Sequence, residues 1–499
     1  MKKFKAIASV MMAAAMALTM TACDETPAST PDAGTNAPGT TAAPQTTETT
    51  TTFETNVAVQ EAAKGAAEQL DNPDLEVTKR IKWMAWWDID ETTAPAELFK
   101  EVYGVPTEGD DPERAGRIFE YVSVSYAERY DKLGAAIAAD DSPDLFPFEV
   151  RDFPYGVLKG RYQPVDEIID LTSAKYEGAR ALQEQFKLNG RNYCAFYEIS
   201  MNNLMYYRTS VIEDVGLDDP RTLFENGQWT WDAFLDMARK FQASDEGKYV
   251  IDGYNPEDDF VISTGVPMIG NDAGTIVNNL YTPEVEKAIT EMLATLQKEN
   301  LRYPRNELNG WNVNPKAWAD GNILFYCDGG TWVWESTIMK YAKKNGWATD
   351  EVRVVPFPMC PTADAHYVTL KQDALMWCKG SKNQAGVQAW IDCCATTAMD
   401  PEVKAAGRQQ AIENYNWNPE NLDFIMSLTA LDGTSPVVPL VDFKSGLGAV
   451  SDGSACENPI QSLTNLVYLT GESFVQLREQ HNPAIQAAID DVNEAISKG

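Results

Sequence analysis

The sequence predicts an α/β protein built as two lobes. From Val77 onward, short apolar runs alternate with amphipathic helices, which is the pattern of α/β architecture. With 499 residues the chain is long enough for two or more buried cores. The alternation is irregular and broken by long polar connections, which favours two lobes over one closed barrel.

The chain begins with a segment of a different kind. Lys2, Lys3 and Lys5 precede the apolar run 6–20, which is shorter than the ~20 residues a membrane-spanning helix needs. Residues 1–22 therefore read as a signal peptide. Met20-Thr21-Ala22-Cys23 resembles the lipobox of bacterial lipoproteins, which makes Cys23 the expected lipidation site. Two or three acyl chains anchor a protein stably, whereas one binds only marginally. Residues 23–55 are mostly Thr, Pro, Ala and Gly and bury too little apolar surface to offset their chain entropy. They are expected to form a disordered tether, with a helical lead-in at 56–76 and a folded body at 77–499.

Within the body, 80–87 reads as a first strand ending in a turn at Asp88. Tyr126, Tyr130, Leu133 and Ile137 recur at helical spacing, followed by Ser142-Pro143-Asp144 and a short strand at Leu145-Phe146. Trp231, Phe234, Leu235, Ala238 and Phe241 share one face of a helix that Thr230 caps. Val285, Ile289, Met292, Leu293 and Leu296 define another, and Ile485, Ile489, Val492 and Ile496 a C-terminal one.

Composition excludes several function classes. Seventy-four acidic against 41 basic side chains leave a net charge of −33, opposed to phosphate-backbone partners and to attraction by an anionic membrane face. No nucleic-acid partner is expected, and any membrane attachment has to be covalent or hydrophobic rather than electrostatic. His366 and His481 are the only histidines, too few for a multi-His metal site. Neither a G-x-S-x-G elbow nor a P-loop or GxGxxG occurs, and Asp88-x-Asp90 lacks the glycine and distal Glu of a calcium loop. No cofactor, metal or catalytic residue is expected. Seven cysteines follow Cys23, without a CxxC or zinc spacing, and are expected to be buried thiols rather than a disulfide framework.

Six segments, in order, carry a resemblance. Leu204-Met205-Tyr206-Tyr207-Arg208, Gly216-Leu217, Pro220 and Trp229-Thr230-Trp231-Asp232 resemble a segment of extracellular solute-binding proteins of the maltodextrin-binding type. Tyr126 to Leu133 with Ser142-Pro143-Asp144-Leu145 lies upstream. Trp318-Ala319-Asp320-Gly321 with Gly329-Gly330-Thr331-Trp332, Val355-Pro356-Phe357-Pro358, Lys379-Gly380-Ser381-Lys382-Asn383, and the pair Gly471-Glu472 with Asp490-Asp491-Val492-Asn493 lie downstream. The resemblance implies a two-lobe periplasmic-binding-protein clamp of class II type with discontinuous lobes. It places the first lobe at about 77–199 and 371–434 and the second at about 200–370 and 435–499. It implies a monomeric receptor that takes an oligosaccharide or other small polar solute in the inter-lobe cleft and delivers it to an ABC permease. A surface glycan adhesin or hydrolase is the rival reading.

Sugar sites combine stacking aromatics with carboxylates and amides. The resemblance places a stacking tryptophan at Trp332, with Trp334 as an alternative exposed partner. Trp86, Trp87 and Asp88 end the first strand, where ligands lie in α/β proteins. Strand alternation sends one of the two tryptophans to the core and the other to the ligand. Phe148, Glu149, Arg151 and Asp152 follow the Pro-Asp strand, and Asn202 and Tyr207 flank the first hinge crossing. Trp231 and Trp390 are assigned to helix cores.

Overall fold

The structure, a computed structural model, describes residues 57–107, 116–272, 274–305, 313–329, 333–430, 434–451 and 458–498. The signal segment, Cys23, the tether, Trp332 and Cys456 lie outside the described residues.

The strands that frame the site are β1 (Ile81–Ala85), β2 (Phe119–Ser123), β3 (Leu145–Pro147), β4 (Glu198–Met201) and β5 (Leu204–Arg208). They continue with β6 (Tyr249–Gly253), β7 (Ile323–Asp328), β8 (Val352–Val355), β9 (Leu370–Asp373) and β10 (Leu375–Trp377). The first sheet has the order β10-β3-β1-β2, with β1 parallel to β2 and β3, and β10 antiparallel to β3. The second has the order β8-β5-β7-β6, with β7 parallel to β6 and antiparallel to β5. All six residues of β7 are buried, as expected for a strand covered on both faces.

Between the sheets, β4 and β9 pair antiparallel, Met201 opposite Leu370 and Glu198 opposite Asp373. The chain leaves the first sheet through β4 into β5 and returns from β8 through β9 into β10. This ribbon is the joint between the two lobes.

The helices named below are α1 (Val57–Gly65), α2 (Ala94–Tyr103), α3 (Arg129–Ala138), α4 (Trp231–Ser244), α5 (Pro256–Ile262), α6 (Gln384–Met399), α7 (Pro401–Tyr415), α8 (Pro419–Leu428) and α9 (Phe474–Lys498). Thr230 caps α4 by accepting from the Ala233 N–H, and Trp231, Phe234, Ala238 and Phe241 are buried along it. The Pro-Asp and Lys-Gly-Ser-Lys-Asn motifs meet in space. Ser381 Oγ donates to Asp144 at 2.7 Å, Asp144 also accepts the Lys82 N–H, and Asn383 accepts from Gly386 N at the start of α6. The lead-in is structural too: α1 packs on α2 and α7, and Gln69 donates to Asp400 at 2.7 Å.

One element departs from the expected division. The expected first lobe includes residues 371–434, yet α8 packs on the second. Leu422, Ile425 and Leu428 join the cluster of Tyr206, Trp318 and Val352, and Asn421 Nδ2 donates to the Val352 carbonyl. Amphipathic spacing shows that a helix has an apolar face, but not which sheet receives it. Cys194, Cys327, Cys360, Cys378, Cys393 and Cys394 are buried and unbridged. Among the described residues no helix is long and apolar enough to cross a membrane.

Candidate functional site

Parallel strands place their following loops at one end of a sheet, and both sheets turn that end toward the same cleft. Trp86 and Trp87 follow β1, Phe148 to Arg151 follow β3, Tyr254 and Asn255 follow β6, and Gly329 follows β7; all line one cavity of about 490 Å³. The joint supplies Asn202, Asn203, Thr369 and Lys371, with the Asn202 N–H donating to the Thr369 carbonyl. At Gly253 the chain turns with φ +140° against Cys327, where a Cβ would overlap the Cys327 carbonyl. Glycine there lets β6 end directly under the cleft.

The first-lobe wall is aromatic. Trp86 meets Trp87 edge-on at 4.4 Å and Tyr126 edge-on at 5.0 Å, while Phe148 lies against Phe186 and Phe196. Arg129, on α3, holds this wall from behind: its guanidinium lies 3.6 Å from the Tyr126 ring centroid and 5.2 Å from that of Trp86. It also pairs with Glu149, Nε to Oε2 at 2.7 Å and Nη2 to Oε1 at 3.3 Å. Desolvation works against the guanidinium charge, but Glu149, with Tyr130 and Tyr126 beside it, more than offsets that and leaves the Arg129 pKa raised.

The second-lobe wall is polar. Asn203 donates to Asp259 and to the Tyr254 carbonyl, each at 2.9 Å. Burial pushes the Asp259 carboxyl up to about 7, opposed by the Asn203 hydrogen bond. Asp442 is pushed to about 6 by burial, although it accepts the N–H groups of Ile269 and Lys444 at 3.1 and 3.0 Å. The buried Lys444 ammonium pairs with Asp258. Aromatic faces against hydrogen-bonding groups suit an amphipathic small molecule such as a polyhydroxylated ring. Among the described residues no group of three or more His, Cys, Asp and Glu side chains is arranged to hold a metal ion.

Residues 119–400 match the family of bacterial extracellular solute-binding proteins. The chain belongs to that family. The family is one of binding proteins that act outside the cytoplasm, so this solute-binding protein is exported. Its fold is shared by the GacH receptor of Streptomyces glaucescens, solved unliganded and with acarbose (16% identity, 83% of this chain and 100% of that one, TM-score 0.55). It is also shared by the galacto-N-biose-/lacto-N-biose I-binding protein of a Bifidobacterium longum ABC transporter, in complex with lacto-N-biose (14%, 84% and 99%, TM-score 0.55). UgpB from Mycobacterium tuberculosis, in complex with glycerophosphocholine, is similar to the same degree (14%, 83% and 99%, TM-score 0.55). At these identities the likeness establishes the two-lobe fold. No curated protein matches the chain.

In this solute-binding protein, Trp86, Trp87, Phe148, Glu149, Arg151 and Asn202 line the cleft together. Four other sequence-derived candidates do not. Trp334 is fully buried and stacks on Trp417 in the second-lobe core. Asp88 turns outward to Arg117, Oδ2 to Nη1 at 2.8 Å. Asp152 is buried against Arg161 and accepts from Tyr162 Oη at 2.6 Å. Burial pushes its carboxyl up to about 6. Tyr207 points into the second lobe and donates to Asp219 at 2.9 Å.

Strand alternation does not separate Trp86 from Trp87. Strand β1 ends at Ala85, so neither follows the pleat and both reach the cleft half-buried. Trp390, read as core, is 3% exposed and packs on Phe119, as expected. Sequence reasoning missed Asp90, Tyr126, Asn203, Asp259 and Lys444. Asn203 adjoins a candidate, and Asn255-Pro256 ahead of three acids was a readable turn-to-helix signal. Nothing local marked Lys444.

Proposed function

We propose that this protein is the solute-capturing lipoprotein of a carbohydrate ABC importer. Its lobes close on an oligosaccharide in the cleft, and the loaded form delivers it to a membrane permease. The observation that carries this reading is the opposition of the Trp86–Trp87–Tyr126 wall to the hydrogen-bonding wall around Asn203 and Asp259. Aromatic faces take the C–H faces of sugar rings while amides and carboxylates take their hydroxyl edges. Trp332, from its motif, is the proposed additional stacking residue. Cys23 is the proposed lipid attachment, with 23–55 as a tether that keeps captured solute near the membrane. The protein acts as a monomer and does not turn its solute over.

A thermal-shift screen across neutral oligosaccharides tests the reading, because a ligand that binds only the folded state raises its melting temperature. A shift with unchanged glycan on thin-layer analysis supports capture without catalysis. Hydrolysis products sink the non-catalytic part, and absence of any glycan shift sinks the carbohydrate part. Trp332→Ala is expected to weaken the same binding, and Cys23→Ala to release the protein from the membrane fraction.

A further inference from the structure

Polar atoms shielded from solvent normally have a hydrogen-bond partner, and each exception asks for an explanation. Beside the rotatable Thr369 hydroxyl, three such atoms belong to residues of the cleft wall: Asp90 Oδ2, Asn203 Oδ1 and Trp87 Nε1 have no protein partner. The rest of each side chain is firmly held. Asp90 Oδ1 accepts both the N–H and the hydroxyl of Thr92 at 2.8 Å. Asn203 is only 6% exposed, and its amide nitrogen already donates to Asp259 and Tyr254. Trp87 is fixed edge-on between Trp83 at 5.6 Å and Trp86 at 4.4 Å. Neither acceptor can rotate to a new partner without breaking the bonds that fix it. Asp90 follows β1 in the first lobe, whereas Asn203 sits in the β4–β5 turn at the edge of the second.

We propose that Asp90 and Asn203 are a specificity-determining acceptor pair, one from each lobe, that together take two donor groups of the bound solute while Trp87 donates back. Opening about the β4–β9 ribbon uncovers them and closure over the solute shields them again. The set is two acceptors and one donor. A hydroxyl, with one hydrogen and two lone pairs, can answer either kind, and an ammonium can answer only the acceptors. The pair therefore selects a solute with donors at both edges. It also rewards closure, because both acceptors are satisfied only when the lobes converge. The inference rests on the cleft being the solute site, as proposed above, and it names the residues that choose the solute.

The test compares wild type, Asp90→Asn and the outward-facing control Asp88→Asn. Calorimetry uses maltotriose, cellobiose and the 2,2′-diamino counterpart of cellobiose, and ligand-free melting is recorded in parallel. Asp90→Asn keeps the shape and the Thr92 contacts but turns the waiting acceptor into a donor. It is expected to lower affinity for whichever probes bind by about tenfold or more, because a hydrogen bond to a charged group is lost. Its ligand-free melting temperature should stay level or rise, since an unsatisfied carboxylate oxygen has been removed. Asp88→Asn should leave affinity unchanged.

Tighter binding of the diamine than of cellobiose assigns the donors to ammonium groups, and the reverse assigns them to hydroxyls; both support the pair. Undiminished affinity in Asp90→Asn overturns the proposal, as does a fall in its ligand-free melting temperature, which would make Asp90 a structural residue. If no probe binds the wild type, the carbohydrate reading fails, and the melting comparison still decides the role of Asp90.

Discussion

Trp334 lies flat on Trp417, with ring centroids 4.6 Å apart and planes 14° from parallel. Trp334 comes from the segment after β7 and Trp417 from the connection between α7 and α8, so the stack fastens the late helices to the second lobe. Trp334→Ala is expected to destabilise the fold by about 3–5 kcal/mol, the usual cost of emptying a buried aromatic site. Solute affinity of the folded fraction should be unchanged. Urea melts and calorimetry on one preparation separate the two effects.

Asp259 gives the fold a pH dependence of calculable sign. Around it stand Asn203 and Thr369 from the joint, Glu257 and Asp258 on its own helix, and Lys444 and Asp442 from the turn that packs on that helix. Its carboxyl titrates near 4 in the unfolded chain and at about 7 in the fold. Between those values the folded chain holds a proton that the unfolded chain releases. The associated stability is complete below about pH 4 and is lost as pH rises through about 7. Asp328, pushed to about 7 by burial, acts in the same direction. Asp259→Asn should therefore raise the melting temperature at pH 8 and leave it nearly unchanged at pH 4.5. The gain at pH 8 is expected to be on the order of 1–3 kcal/mol.

Arg129 is the residue on which the aromatic wall leans. Its side chain is 5% exposed and its partner Glu149 17%, so the pair is largely withdrawn from water. Removing one partner of a buried pair strands the other charge, at a cost of about 3–5 kcal/mol. Arg129→Ala should lower the melting temperature. It should also weaken solute binding without touching the solute, because Tyr126 and Trp86 lose the guanidinium that fixes them. Arg129→Lys restores the charge but not the planar stack, and is expected to recover stability more fully than affinity.

How much of this was legible in the sequence depends on what kind of information each feature needs. The Pro143-Asp144 and Lys379 to Asn383 motifs were legible as a turn before a strand and a turn before a helix because they are local, and only the fold joins them, through Asp144 and Ser381. Trp86 and Trp87 were legible as cleft residues, but the face argument failed because it assumed two more residues of strand than β1 has. Asp88 and Asp90 differ by two positions and look equivalent. Only the presence of Arg117 in the fold turns one outward and leaves the other to the cleft. Lys444 and α8 depend on long-range packing, which no local pattern encodes.

The turn at 443–446 closes the cleft floor and suggests a way to manipulate the clamp. Asp442 and Lys444 tie it to the second lobe, through the Ile269 N–H and through Asp258. Phe443 reaches the first lobe, with centroids 6.0 Å from Phe153 and 5.1 Å from Phe186. Gly446 passes so close to the Phe153 carbonyl that a Cβ would overlap it. This turn is thus a second contact between the lobes, beside the β4–β9 ribbon. Phe443→Ala removes the aromatic contact and is expected to cost about 3–5 kcal/mol. Gly446→Val instead wedges the turn off the first lobe while each lobe keeps its own core. Its solution scattering should show a larger ligand-free radius of gyration than wild type, with weaker solute binding and little change in the secondary-structure spectrum. An unchanged radius together with unchanged affinity would mean that the turn follows the lobes passively, and that the ribbon alone sets the opening.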